Sequence, residues 1–260
     1  MNYSFQVAYI NTLRQKKIIP EGLLIDLASN KNFSSFVALL KEYGYLLNLD
    51  LSSEKLLDGY NFESVIKKHL DETLYFIDSL FYPDHRWITD CLKNYFLENK
   101  FNSQEDLNSF FKSIYFSFKK LNSNLLNNLV NLIVEFENIK LFMSYTLVEN
   151  ISSKELRFIN LGRISEILLK ELFPSIEALN IYLSNTYYPY IKLTTQPATE
   201  NFNYYFIYYL KELIWQSRFY YFTIEPLVFY FLEKFVETQK LKEIYYDIKL
   251  NIRLNENKSI

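Results

Sequence analysis

The sequence predicts an all-α fold built from repeated helical modules, and three observations lead there. Four glycines and six prolines among 260 residues compare with roughly 30 of the two together in an average chain of this length, so tight turns are scarce and helices are long. Apolar residues recur at helical spacing almost throughout. Strand-type alternation bounded by hairpin signals is not found.

The elements follow in chain order. Pro20-Glu21 and Ser52-Ser53-Glu54 open two early helices, and Pro83-Asp84 and Pro174 mark breaks. Leu132, Phe136, Ile139 and Met143 step by four, three and four, which places them on one face of a long amphipathic helix ending near Asn150. Ser152-Ser153-Lys154-Glu155 reads as a capping box, with a new helix running from it toward Leu161. Tyr187 to Thr199 carries two prolines and Thr194-Thr195 and reads as a loop. Thr223 followed by Glu225-Pro226 starts the last helix, because proline is tolerated in a first turn that has no use for its missing amide. Its apolar face is Leu227, Phe231, Phe235, Thr238, Leu241, Tyr245 and Ile248.

A repeat runs through these elements. Glu135-x-x-Asn138-Ile139-Lys140 and Glu237-x-x-Lys240-Leu241-Lys242 lie on the two long helices, and Asn-Ile follows each, twelve residues after Asn138 and eleven after Lys240. A short helix and a Leu-rich helix follow the N-terminal and the middle copies, whereas the chain stops before the C-terminal copy is complete. Modules of this kind bury a shared core by leaning on one another, which implies an array or a closed ring. Approximate modules are 1–83, 84–173, compressed at 84–124, and 174–260.

Composition excludes several function classes. Lys and Arg number 28 against 30 Asp and Glu, so no basic excess exists to neutralise nucleic-acid phosphates. Lys211, Glu212, Arg218 and Glu225 interrupt the most apolar stretch, Phe202 to Leu232, which leaves no membrane span. The single cysteine, Cys91, rules out an internal disulfide framework and fits a reducing compartment, and Met1 to Arg14 lacks the pattern of a signal peptide. A cytoplasmic location is expected. The 23 Tyr and 23 Phe read as core filling before they read as a ligand surface.

Candidate chemistry is thin. His85 lies near Asp84, Asp90 and Cys91 but lacks ligand spacing, and Pro83-Asp84-His85 reads as a helix-entry turn with a solvated imidazole. His69 with Glu72 reads as a surface ion pair, since a di-iron bundle needs paired Glu-x-x-His. Phosphate loops and nucleophile elbows are absent. No catalytic, cofactor or metal residue is assigned. Asn138 is disfavoured in a helix unless its amide finds partners, so an interhelical hydrogen bond fixing module geometry is expected of it, with Glu135 one turn earlier on the same face. Glu135, Asn138, Lys140, Glu237, Lys240 and Lys242 are therefore the candidates for setting module geometry.

At these residues the chain resembles the C-type subunit of the V/A-type rotary ATPases, the counterpart of the eukaryotic d-type subunit. Tyr3, Phe5, Ala8, Ile10 and Leu13 match an N-terminal aromatic pattern, and Val134, Glu135, Asn138, Ile139 and Lys140 match Ile-Asp-x-x-Asn-Ile-Lys. Phe222, Glu225, Pro226, Tyr230, Lys234, Glu237, Lys240, Leu241 and Lys242 match the entry and body of its last helix, while Thr186-Tyr187 and Glu200-Asn201-Phe202 fit the segment between. The likeness covers most of 1–80 and 125–255. Family members are longer. Here one module is shortened, its Asp-x-x-Asn reduced to Cys91-x-x-Asn94, and Asp247 stands near an expected glycine.

The resemblance implies a shortened, funnel-like, non-catalytic adapter of the central stalk, peripheral to the membrane on its cytoplasmic side. Its partners would be the axle subunits, of D and F type, and the membrane rotor ring. A helical-repeat scaffold that binds other proteins and is unrelated to rotation is the alternative, with an enzyme of unknown type behind it.

Overall fold

The computed structural model describes residues 2–46, 59–98, 101, 103–148, 155–194 and 199–258. Every regular element among them is helical. The chain divides into two compact units, Lys100–Ser217 and a second made of Met1–Asn99 with Arg218–Ile260.

In the unit formed by both chain ends, α1 (Ser4–Lys17), α2 (Glu21–Asn30), α3 (Phe33–Glu42), α4 (Gly59–Leu80) and α5 (Trp87–Lys93) accompany the last helix of the chain, Glu225–Lys258. That helix is central, with α1, α2 and α4 packed against it. Pro20 sits at the N-cap of α2, and Pro226 lies in the first turn of the last helix, where both were expected. A 3-10 turn at Pro83–His85 and a π-helical turn at Asn94–Glu98 bracket α5. Ser52-Ser53-Glu54 lies outside the described residues.

The other unit contains α6 (Gln104–Lys120), α7 (Asn124–Thr146), α8 (Glu166–Leu172), α9 (Ile176–Asn185) and α10 (Thr199–Ser217), which makes the C-terminal Glu225–Lys258 helix α11. Serine oxygens cap four of its helices. Ser103, Ser123, Ser165 and Ser175 accept from the amides of Asp106, Leu126, Leu168 and Ala178, each satisfying an orphan first-turn donor. Helix α7 is the core, flanked by α6 and α10.

The two long helices are amphipathic over part of their length, as expected, with Thr238, Leu241 and Tyr245 buried opposite exposed Lys240, Glu243 and Asp247 on α11, but each also has a stretch buried on all sides. Leu227 through Leu232 are all buried, and on α7 the buried set Leu132, Ile133, Val134, Glu135 and Phe136 is likewise consecutive. A helix buried on all sides is wrapped by its neighbours rather than laid on a surface. Apolar periodicity found the inward stripe but missed this, since it assumes that an opposite face is solvated.

The helix expected from the capping box toward Leu161 does not form over 155–161, which is non-helical; Ser152, Ser153 and Lys154 lie outside the described residues. Tertiary bonding overrides the local signal. Leu156, Phe158 and Ile159 are buried, and both backbone polar groups of Ile159 are taken by the Asn138 side chain. A helix through Ile159 would compete for those groups.

Phe231 lies at the centre of the α11 packing with none of its surface exposed. Phe231→Ala should lower unfolding free energy by about 3–5 kcal/mol, read by urea titration. Phe5→Ala, at a side chain 78% exposed, should change it by less than about 0.5 kcal/mol.

Candidate functional site

Two carboxylates buried on the long helices gather most of the buried polar chemistry. Glu135 on α7 is fully buried. Its Oε1 accepts from the backbone N–H of Arg163 at 2.7 Å and from Arg163 Nε at 3.0 Å. Oε2 accepts from Arg163 Nη2 at 2.7 Å and from the Tyr188 hydroxyl. Arg163 also donates to Tyr188 Oη at 3.1 Å and lies over the Tyr187 ring at 4.1 Å. Burial opposes the guanidinium charge, but the hydrogen bonds and charge of Glu135, with Tyr188, hold Arg163 above its ordinary value.

Gly162 makes this approach possible. Its φ is +87°, a region that L side chains avoid, and a Cβ there would stand 3.2 Å from Glu135 Cγ and 3.4 Å from Val134 Cγ1. The glycine both turns the chain and lets it lie against α7.

Glu237 on α11 is 4% exposed. Its Oε2 accepts from the backbone N–H of Ile19 at 2.6 Å, and its Oε1 accepts from the Tyr45 hydroxyl and from Lys234 Nζ at 2.7 Å. Lys234 also donates to the Lys17 carbonyl and lies 5.0 Å from the Tyr45 ring. Burial pushes Glu237 up and Lys234 down, each opposed by the charge of the other. Burial, reinforced by the carboxylate, drives the Tyr45 phenol well above its ordinary range. One turn earlier, Glu233 accepts from Arg14 Nε at 2.9 Å and Arg218 Nη2 at 2.5 Å.

Each of the two carboxylates thus collects one backbone N–H from outside a helix, one tyrosine hydroxyl and one cation. The N–H donor and the tyrosine are 25 residues apart in one case, Arg163 and Tyr188, and 26 in the other, Ile19 and Tyr45.

The other candidates divide. Asn138, fully buried, closes a two-way amide pair with Ile159, donating to its carbonyl at 3.0 Å and accepting from its N–H at 2.7 Å. Its partner is an extended segment, not a second helix. Lys140 is exposed, bonded to Glu137 at 2.8 Å and 5.6 Å from the Phe202 ring. Lys240 is also exposed and pairs with Glu243, while Lys242 pairs with Glu63. These lysines do not enter the buried clusters.

Sequence reasoning missed Arg163, Tyr188, Tyr45 and Asn180. Asn180 on α9 makes the same amide pair with Leu193, at 2.8 and 2.7 Å. It was within reach, because Glu177-x-x-Asn180-Ile181 repeats the motif at Glu135.

Both histidine readings need correction. His69 forms no surface pair with Glu72, whose partner is Lys68 at 4.0 Å. Its ring stacks on Tyr45 at 3.9 Å, and its Nε2 is buried without a hydrogen bond. Burial, with Lys234 and Lys17 nearby, lowers its pKa to about 3. His85 is half-buried and hydrogen-bonded to Tyr3 rather than solvated. No group of three His, Cys, Asp or Glu positioned for a metal ion occurs among the described residues, and no described helix is long and apolar enough to cross a membrane.

No family model, curated protein or solved structure matches the chain.

Glu135→Ala removes the acceptor of the Arg163 backbone N–H and of the buried Tyr188 hydroxyl, while the Arg163 side chain, 35% exposed, is free to turn to solvent. It should destabilise the protein by about 2–4 kcal/mol. Gly162→Ala forces a positive φ and a close contact and should cost about 1–3 kcal/mol. Urea unfolding of both variants checks the two values.

His69 gives a pH dependence whose sign is fixed. The unfolded chain binds its proton near pH 6.5, whereas the folded chain binds it only near pH 3. Stability is therefore complete above the unfolded value and falls as pH drops through it. Between pH 7 and 5, His69→Phe, which keeps a ring against Tyr45, should lose about 1–2 kcal/mol less than the natural protein.

Proposed function

We propose that this chain is a non-catalytic central-stalk component of a V/A-type rotary ATPase, similar to the C-type subunit and its eukaryotic d-type counterpart. It would join axle subunits of D and F type to the membrane rotor ring from the cytoplasmic side. The observation that carries the proposal is the shared chemistry of Glu135 and Glu237. They are the two positions where the chain follows the family's acidic residue on a long helix, and each accepts from a backbone N–H, a tyrosine and a cation.

On this reading the two clusters are copies of one module. In Lys100–Ser217 the parts come in chain order, with Glu135, then Arg163, then Tyr188. In the other unit the carboxylate is near the C-terminus, while Ile19 and Tyr45 are near the N-terminus. The copy that the sequence leaves unfinished at its end is completed by residues from its beginning. Within that unit the two chain ends thus close on one carboxylate. Where a third acidic residue would stand, the chain has Cys91. Burial and Asp90 push its thiol up to about 12, so it carries no charge to gather donors, in keeping with a reduced module.

A torque-bearing adapter needs stiffness and broad contact, not reacting groups. Non-helical segments pinned to central helices supply the stiffness. A protein-binding scaffold unrelated to rotation draws support from the exposed rings of Tyr75, Tyr204 and Trp215, since Tyr and Trp are enriched at interfaces.

Reconstitution of the complex with and without this chain separates the readings. The adapter predicts that ATP hydrolysis by the detached head persists without the chain, while ion flux driven by it is lost. Each contact, with ring and with axle, should bury more than about 1,000 Å². Loss of most hydrolysis on withdrawal of the chain, or unaffected ion flux, would contradict it.

A further inference from the structure

The hydroxyl of Tyr3, a residue 1% exposed just before α1, is woven into the packing of the unit formed by the chain ends. Its ring meets Tyr82 edge-on at 4.7 Å and stacks near His85 at 5.9 Å. Its backbone N–H donates to the Phe222 carbonyl at 3.0 Å, and its carbonyl accepts from Val7 at 2.9 Å. These bonds tie Tyr3 into the first turn of α1, where the Asn2 side chain also accepts from the Ser4 amide at 2.9 Å.

Donor arithmetic then sets the state of His85. The backbone N–H of Tyr82 can only donate, and it does so to Tyr3 Oη at 3.1 Å. The Tyr3 proton is left to point at His85 Nδ1, 2.8 Å away, so Nδ1 must be an unprotonated acceptor. Protonation at Nδ1 would turn that acceptor into a donor. Tyr3 Oη would then face two donors, and its own proton would be buried without a partner.

We propose that Tyr3 and His85 form a proton-operated clasp: neutral His85 holds the first turn of α1 against the 81–85 turn, and its protonation releases that turn.

The surrounding charges act as follows. Asp84 favours the charged imidazole, and the amino terminus disfavours it. Arg86 turns toward Asp78 at 3.8 Å, and Asp78 also accepts from Thr89. The Tyr82 hydroxyl is engaged with the Asn2 carbonyl at 2.9 Å. From the segment before α11, the backbone carbonyl of Phe222 reaches Tyr3. Burial is the largest influence on His85 and lowers its pKa. A lowered folded value means that the clasp is fully closed above the unfolded value and weakens as pH falls below it. His69, the only other histidine in the chain, lowers global stability over the same window because burial depresses its pKa, so protection at Tyr3 and Val7 is read relative to that of the buried amides of α11.

The test is amide hydrogen exchange of the full chain at pH 7.5 and 5.0, read as protection factors at Tyr3 and Val7. In the natural protein protection should fall about tenfold or more at the lower pH. His85→Asn retains an acceptor near the Nδ1 position without titrating and should keep its protection at both values. Tyr3→Phe should be poorly protected at both. Unchanged protection in the natural protein, or an equal fall in His85→Asn, overturns the clasp. Should His85→Asn lose its helical circular dichroism, the NMR titration of His85 in Tyr3→Phe decides. A pKa that rises toward the ordinary value supports the clasp, and an unmoved one overturns it.

Discussion

A carboxylate that accepts a backbone N–H from outside its own helix is the interaction on which the rest of this structure depends. An all-helical protein satisfies its helix interiors internally, but the segments between helices carry amides with no partner of their own. Glu135 and Glu237 solve this from within the core. Each reaches one such amide and one tyrosine hydroxyl, then balances its charge with a cation at hydrogen-bond distance. Burying these charges is costly, and apolar replacements would serve stability as well. Their advantage is geometric. A carboxylate ringed by directional donors admits one register of the connecting segment against the helix, whereas an apolar contact tolerates sliding.

Asn138 and Asn180 do the same for neutral groups. Both amides occupy both polar groups of a residue in an extended segment, Ile159 and Leu193. Within Lys100–Ser217, the chain from 155 to 163 is thereby fixed at two points of α7, one turn apart, by Asn138 and Glu135. Gly162 supplies the single backbone conformation that brings Arg163 to its carboxylate. Connections of this sort hold the described segment to one register against α7.

Much of this was legible in the sequence, and what was not has physical reasons. Pro20 and Glu225-Pro226 announced helix starts because the geometry of proline is local. Asn138 stood out because its amide is disfavoured in a helix without partners, and Glu135 because it lies one turn earlier on the same face. Their partners did not, because Arg163 and Tyr188 are 28 and 53 residues from Glu135, and no periodicity links residues at that separation. The partners of Glu237 lie 218 and 192 residues away, at the other end of the chain. Local rules failed at 155–161, where the Asn138 amide outcompetes helical bonding. They failed again at His69, whose helical neighbour Glu72 suggested a surface pair while the ring turned inward onto Tyr45.

The most direct test of this account is the hydrogen-exchange protection of two backbone amides, those of Ile19 and Arg163, in the full-length protein under native conditions. Neither lies within a helix, and a chain segment without such anchors exchanges readily. The account predicts that both exchange as slowly as the buried centres of α7 and α11, because opening either amide requires a buried carboxylate to lose its partners. Exchange of either amide at the rate of an exposed loop would contradict it.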